Sequence, residues 1–235
     1  MPPLYAQLPL AALTLELRAP VGWEWAALAA SYLLGAVPFG FVLARVLRGV
    51  DLREVGSGNI GATNAMRVLG KPWGVVAFLL DFAKGAVPAG VLAPWALGAE
   101  TGATWIAVAC GAAAVCGHVW PVYLGFKGGK AVATGMGAIL VIDPVVAIGA
   151  ALVWVLVLKL TRYVSLASIA MGIGFPAVAT WRAWRGAVGA ELILGTSALA
   201  VLILVRHRSN IARLFAGTET RAGARIASKE NETHA

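Results

Sequence analysis

Long apolar runs separated by short polar links constrain this chain more than any other feature. A membrane-spanning helix needs roughly 20 mostly apolar residues, because its backbone groups must be satisfied within the helix. Runs of about that length, some shorter, fall near 23–47, 72–97, 103–119, 131–142, 145–160, 165–180 and 190–205. With 60% hydrophobic and only 13% charged residues, and a mean hydropathy of +0.80, the chain cannot cover itself with an ordinary water-facing surface. The expected fold is an all-α polytopic membrane protein, a bundle of seven transmembrane helices, some short or kinked. The expected organisation is an N-terminal extension at 1–22, a seven-helix membrane domain at 23–215, and a polar basic tail at 216–235.

Several features refine this picture. Pro38, next to Gly40, predicts a kink in the first span, since proline removes a backbone donor and clashes one turn back. The run at 131–142 is short enough for a half-span. Asp81 and Lys84 are three residues apart within an apolar run, which puts them on one helix face and predicts a structural ion pair. Cys110 and Cys116 share one apolar run and read as small core residues, with no histidine or carboxylate cluster to make them a metal site. Residues 1–9 carry no basic n-region, so a cleaved signal peptide is not expected.

The formal charge of +8 raises nucleic acid as a partner, but the cations lie between spans. If the runs alternate in direction, fifteen of the nineteen Lys and Arg residues fall on one side. The positive-inside bias makes that side cytoplasmic, with the C-terminus inside, the N-terminus outside, and membrane lipid rather than nucleic acid as the surroundings. Four polar clusters then share the cytoplasmic face. These are the loop Gly56-Ser57-Gly58-Asn59-Ile60-Gly61-Ala62-Thr63-Asn64 with Arg67, the link from His118 to Lys130, Arg162 with Ser165, and Arg206 to Asn210.

The first cluster reads as an anion cradle. Glycines let a backbone turn and bring its N–H groups near a ligand, hydroxyl and amide side chains add donors, and an arginine supplies a phosphate fork. A polar turn between helices is the plain alternative. Phe126-Lys127-Gly128-Gly129-Lys130 sets two cations around a flexible glycine pair without forming a Walker A loop. Arg162 and Ser165 place a cation beside a hydroxyl near a helix N-terminus, where anions are favoured. His207 and Asn210 are three apart, on one face if the helix continues; the plain alternative for Arg206 and Arg208 beside them is a snorkelling anchor, expected of at least one of the two. No G-x-S-x-G elbow is present, and carboxylates on this side are too sparse for two-metal phosphoryl chemistry.

These residues, taken together, resemble a known family. Gly56 to Asn64 with Arg67 is similar to the first motif of the bacterial acyl-phosphate:glycerol-3-phosphate acyltransferases, the PlsY family. Gly117-His118-Val119-Trp120-Pro121, continuing through Phe126-Lys127-Gly128-Gly129-Lys130-Ala131-Val132-Ala133-Thr134, resembles the second. Arg162-Tyr163-Val164-Ser165-Leu166-Ala167-Ser168 resembles a third conserved region, and Arg206-His207-Arg208-Ser209-Asn210-Ile211 with Leu214 to Glu219 resembles the C-terminal signature. Ala131 departs from the family by standing where glycine is usual.

The resemblance implies a seven-helix fold with its site at the cytoplasmic face of the bacterial inner membrane. It implies transfer of a fatty acyl group from acyl phosphate to the 1-hydroxyl of sn-glycerol 3-phosphate, giving lysophosphatidic acid and phosphate, with no cofactor and no metal. The soluble enzyme that makes acyl phosphate is an implied partner. By analogy, Ser57, Arg67, Lys127, Ser165, His207 and Asn210 bind glycerol 3-phosphate. Gly58, Asn59, Gly61, Thr63 and Asn64 line the donor loop. His118, Gly128, Gly129, Lys130 and Arg162 complete the expected binding set. Among these, His207, Ser57 and Lys127 are the expected catalytic residues; His207 is the best base by type, with His118 or a substrate phosphate oxygen as competitors. The runner-up function, a glycerol phosphate or phosphate transporter, fits poorly with polar clusters confined to one face and no inverted repeats.

Overall fold

A computed structural model describes residues 18–97 and 104–223. The region 1–17, the link 98–103 and the tail from 224 onward, which include most of the expected extension and more than half of the expected tail, lie outside the described residues.

The chain is helical throughout the described residues. Helix α1 (Trp23–Ala36) is followed by α2 (Phe39–Arg48), α3 (Ala62–Leu69) and α4 (Lys71–Val87), which runs through a π-helical turn at Pro88–Leu92 into α5 (Ala93–Leu97). Then come α6 (Thr104–Val119), α7 (Val132–Ile142), α8 (Pro144–Thr161), α9 (Val164–Trp184), α10 (Ala190–Arg206) and α11 (Arg208–Phe215). Among the described residues, five helical stretches are long and apolar enough to cross a membrane: Trp23–Arg48, Lys71–Leu97, Thr104–Leu124, Pro144–Thr161 and Val164–Trp184. The pair α10 and α11, bent by 57°, makes a sixth. The seventh apolar segment, Val132–Ile142, has 11 residues, about 16 Å of helix, or half the hydrocarbon thickness.

The breaks fall where local chemistry puts them. Pro38 ends α1 and starts α2, as the kink predicts. The carbonyl of Val37 at that break accepts a hydrogen bond from Lys84 Nζ at 2.7 Å, and Lys84 pairs with Asp81 at 2.8 Å. Both members of this pair are almost fully buried, so the ion pair staples α4 to the broken first span. Asp143 caps α8 by accepting from the Val146 N–H at 2.9 Å and is held by Arg182 at 2.8 Å, a tie at the end of the bundle opposite the polar clusters.

Helix pairs approach closely where small residues meet. A Cβ on Gly35 would lie 2.2 Å from the Ala114 carbonyl, and one on Gly85 would lie 1.9 Å from the Thr134 carbonyl. Substitution there would push α1 off α6, or α4 off α7. Such contacts replace hydrophobic driving force with backbone proximity, as membrane helices require. The largest apolar side chains point outward instead: on α8, Ile148, Leu152, Leu156 and Leu160 form an exposed i, i+4 stripe suited to lipid. Cys110 is buried, Cys116 is half-buried, and both are free thiols.

Candidate functional site

The four polar clusters meet in one cavity of about 690 Å³. Of the sequence-predicted residues, Ser57, Asn59, Gly61, Thr63, Asn64, Arg67, His118, Lys130, Ser165, His207 and Asn210 line it. Gly58, Lys127, Gly128, Gly129 and Arg162 do not. Lys127 and Arg162 are exposed.

Asn64 builds the glycine-rich loop. Its Oδ1 accepts from the Ser57 N–H at 2.9 Å, and its Nδ2 donates to the carbonyls of Leu52 and Val55, each at 3.0 Å. The side chain is buried, so it folds the loop rather than presenting donors to a ligand. Gly56 and Gly58 adopt left-handed φ values of 61° and 68°, which only glycine takes without cost. The Gly58 N–H donates to Val55 O, and the Gly61 N–H to Asn59 Oδ1. The N–H groups of Ser57, Gly58 and Gly61 are therefore engaged inside the loop, which corrects the expectation that they face a phosphate. The loop instead delivers the first turn of α3, with Ala62 and Thr63, to the cavity. Helix N-termini favour anions there, and Arg67 lies one turn further along.

The glycine pair of the second motif is a rigid seat, not a flexible phosphate loop. Gly128 N–H donates to Val119 O, and Gly129 N–H to His118 O. Both glycine carbonyls accept from Arg206, at 2.8 Å and 3.0 Å. A Cβ on Gly129 would lie 2.1 Å from His118 Nε2, so the imidazole of His118 packs on that residue. His118 Nδ1 sits 3.8 Å from Asp81 Oδ1, and both residues line the cavity. Arg206 is thus a carbonyl clamp, which leaves Arg208, exposed, as the one of the two arginines free to act as a snorkelling anchor.

Lys130 leaves this seat with its ammonium donating to Asn210 Oδ1. Asn210 Nδ2 donates in turn to Glu219 at 2.7 Å, and Arg213 donates to the other carboxylate oxygen at 2.7 Å. Burial pushes Lys130 down to about 8, aided by Arg213, Arg67 and Arg206 and opposed by Glu219. His207 lies at the 57° bend between α10 and α11, with Nδ1 at 2.8 Å from Ile203 O. A carbonyl only accepts, so Nδ1 carries the proton and Nε2 keeps its lone pair. Ser165 Oγ is buried and lines the cavity beside the Glu219 carboxylate.

Glu219, Arg213, Asp81, Trp154 and Ser168 also line the cavity and were not among the expected site residues. Glu219 and Thr220 lie just beyond the expected end of the membrane domain at 215, and the Ala222 N–H reaches back to Arg162 O at 2.7 Å. The cavity has a second character on the membrane side, where Phe78, Met136, Ala151, Trp154, Val155 and Met171 form an apolar arm between α4, α7, α8 and α9. Phe78 and Val155 are exposed on the apolar outer surface of α4 and α8, so the arm reaches that surface. Among the described residues, no group of three or more histidine, cysteine or carboxylate side chains is placed to hold a metal.

The family model described as glycerol-3-phosphate acyltransferase matches residues 25–217. Glycerol-3-phosphate acyltransferases of Aquifex aeolicus and Desulforudis audaxviator are 44% and 45% identical over 191 residues, 81% of this chain in each case and 95% and 91% of theirs. Among solved structures, the chain is similar to crystal structures of PlsY, an integral membrane glycerol 3-phosphate acyltransferase. The glycerol 3-phosphate form aligns with a TM-score of 0.78 at 42% identity, covering 86% of this chain and 96% of that one. The lysophosphatidic acid form aligns with a TM-score of 0.75 at 40% identity, covering 85% and 95%.

Proposed function

Because this chain belongs to the glycerol-3-phosphate acyltransferase family, and is therefore a multi-pass membrane acyltransferase of phospholipid synthesis and not a transporter, we propose that it transfers the acyl group of an acyl phosphate to the 1-hydroxyl of sn-glycerol 3-phosphate. Lysophosphatidic acid and inorganic phosphate are the products. One observation carries this reading: a single cavity joins a cluster of donors and cations to an apolar arm that reaches the apolar outer surface. A donor with a phosphate head and a hydrocarbon tail fits both ends, and glycerol 3-phosphate fits the polar end.

Arg67, Lys130, Ser165, Asn210 and the first turn of α3 bind phosphate oxygens, and Ser57 lies at the same wall. The lone pair of His207 Nε2 accepts the proton of the attacking hydroxyl. The hydroxyl oxygen bonds to the acyl carbon, the acyl–oxygen bond to phosphate breaks, and phosphate leaves with the electron pair. Phosphate is a good leaving group, so positioning and electrostatic stabilisation supply most of the remaining catalysis. The excess of cations at this end supports a site on the cytoplasmic side of the inner membrane, with the C-terminus inside, by the positive-inside bias.

The test is a donor panel with the purified protein in detergent and labelled glycerol 3-phosphate. Acyl phosphate supports lysophosphatidic acid formation, while acyl-CoA and acyl carrier protein do not. Activity with acyl-CoA equal to that with acyl phosphate would overturn the donor assignment. In the same assay His207→Ala lowers kcat by about 100-fold or more, the range of a lost general base; a loss of only a few-fold would remove His207 from that role.

A further inference from the structure

Arg206 sits at the end of α10 and does not line the cavity, yet its guanidinium spans two consecutive backbone carbonyls of another element. Nε donates to Gly129 O at 3.0 Å and Nη2 to Gly128 O at 2.8 Å. We infer that Arg206 is a positioning residue of the acyl transfer, acting through Lys130: its two-pronged grip on the glycine pair fixes the direction in which the next residue projects its ammonium. The inference rests on the reading of Lys130 as a phosphate-binding group.

Three observations support it. The glycine pair has no freedom left once Arg206 is bonded, since both N–H groups and both carbonyls are engaged. The seat is also closed sterically, because added Cβ atoms would meet His118 and Pro121 at 2.1 to 2.5 Å. Lys130 then reaches Asn210, which lies in α11, the helix that begins one residue past His207. One arginine thus locks the second motif to the helix whose end carries the candidate base. A lysine in its place keeps the charge but offers a single point donor on a flexible stem, which cannot hold two carbonyls in a fixed geometry.

Charge and geometry are separable by substitution. Arg206→Lys keeps the cation and removes the fork; Arg206→Gln removes both. The groups facing Lys130 are Arg67 from α3, His207 at the bend, Asn210 and Arg213 from α11, Glu219 from the segment beyond it, and Arg206 itself. With Arg206→Lys, kcat/KM for glycerol 3-phosphate falls tenfold or more, mainly through KM, while the alkaline limb of its pH profile stays in place. With Arg206→Gln the loss is at least as large and the limb moves to higher pH, since one neighbouring positive charge is gone. The decisive step is a double-mutant cycle: in a Lys130→Met background, Arg206→Lys causes no further loss, because its effect runs through an ammonium that is no longer there.

Wild-type kcat/KM in Arg206→Lys would overturn the proposal, as would full additivity in the cycle. Loss of cooperative melting in detergent for both arginine variants would assign Arg206 to folding and overturn it as well. A silent Lys130→Met, by contrast, would sink the underlying reading of Lys130 and not the clamp geometry.

Discussion

The ammonium of Lys130 donates to the side-chain carbonyl of Asn210, across 80 positions of sequence. This bond joins the second glycine motif to the C-terminal signature, and Asn210 extends it to Glu219 and Arg213. A substrate phosphate entering here meets a cation whose charge is poised to change.

Burial holds Lys130 down at about 8. It is cationic below that pH and neutral above it, so a dianionic phosphate loses a partner as pH rises. The free-enzyme ionisation governs kcat/KM. We expect kcat/KM for glycerol 3-phosphate to fall as pH rises through about 8, approaching tenfold per pH unit. Lys130→Arg abolishes the limb, because guanidinium stays charged throughout. A limb that persists unchanged in Lys130→Arg would assign the ionisation to another group.

Asn64 makes three hydrogen bonds that no other side chain of its size and polarity replaces. Asn64→Ala leaves two buried carbonyls and one N–H without partners and destabilises the protein by about 2–4 kcal/mol. Asn64→Asp is at least as damaging, since a carboxylate then faces the carbonyls of Leu52 and Val55. Thermal melting in detergent reads both, and an aspartate variant as stable as wild type would contradict the assigned amide orientation.

The Asp81–Lys84 pair is buried beside the broken first span. Removing one member strands a charge, so Asp81→Leu costs about 3–5 kcal/mol. The double variant Asp81→Leu with Lys84→Met recovers most of that loss, although the Val37 carbonyl gives up its donor. A double variant no more stable than Asp81→Leu alone would show that the pair does more than balance charge.

The spans and the convergence of the polar clusters were legible because apolar run length and cation placement are direct physical constraints. The Asp81–Lys84 pair and the Pro38 break were legible for the same local reasons. The roles inside the clusters were not. Lys127 and Lys130 look alike in sequence, but only Lys130 turns inward, and that depends on the seat made by His118, Pro121 and Arg206. The glycine pair suggests flexibility by composition, whereas its close neighbours make it rigid. Glu219 lies nine residues from Asn210 and returns to it only because α11 turns away from α10 by 57° and the chain then reverses.

Ala131 carries the clearest departure from the family pattern, and the structure gives it a cost. It has φ 60° and ψ 13°, the left-handed conformation that glycine adopts freely, and it is fully buried directly after Lys130. An L-residue there loses about 1–2 kcal/mol. Ala131→Gly relieves that strain but gives up a buried methyl worth about 0.8 kcal/mol and adds about 0.5–1 kcal/mol of chain entropy. The terms nearly cancel, so the glycine variant melts within about 1 kcal/mol of wild type. Ala131→Val has no such offset: a β-branched side chain is strongly disfavoured at positive φ. It costs more than about 2 kcal/mol and raises KM for glycerol 3-phosphate by displacing Lys130. A valine variant that melts and binds like wild type would mean that the left-handed turn at Ala131 does not exist in the working enzyme.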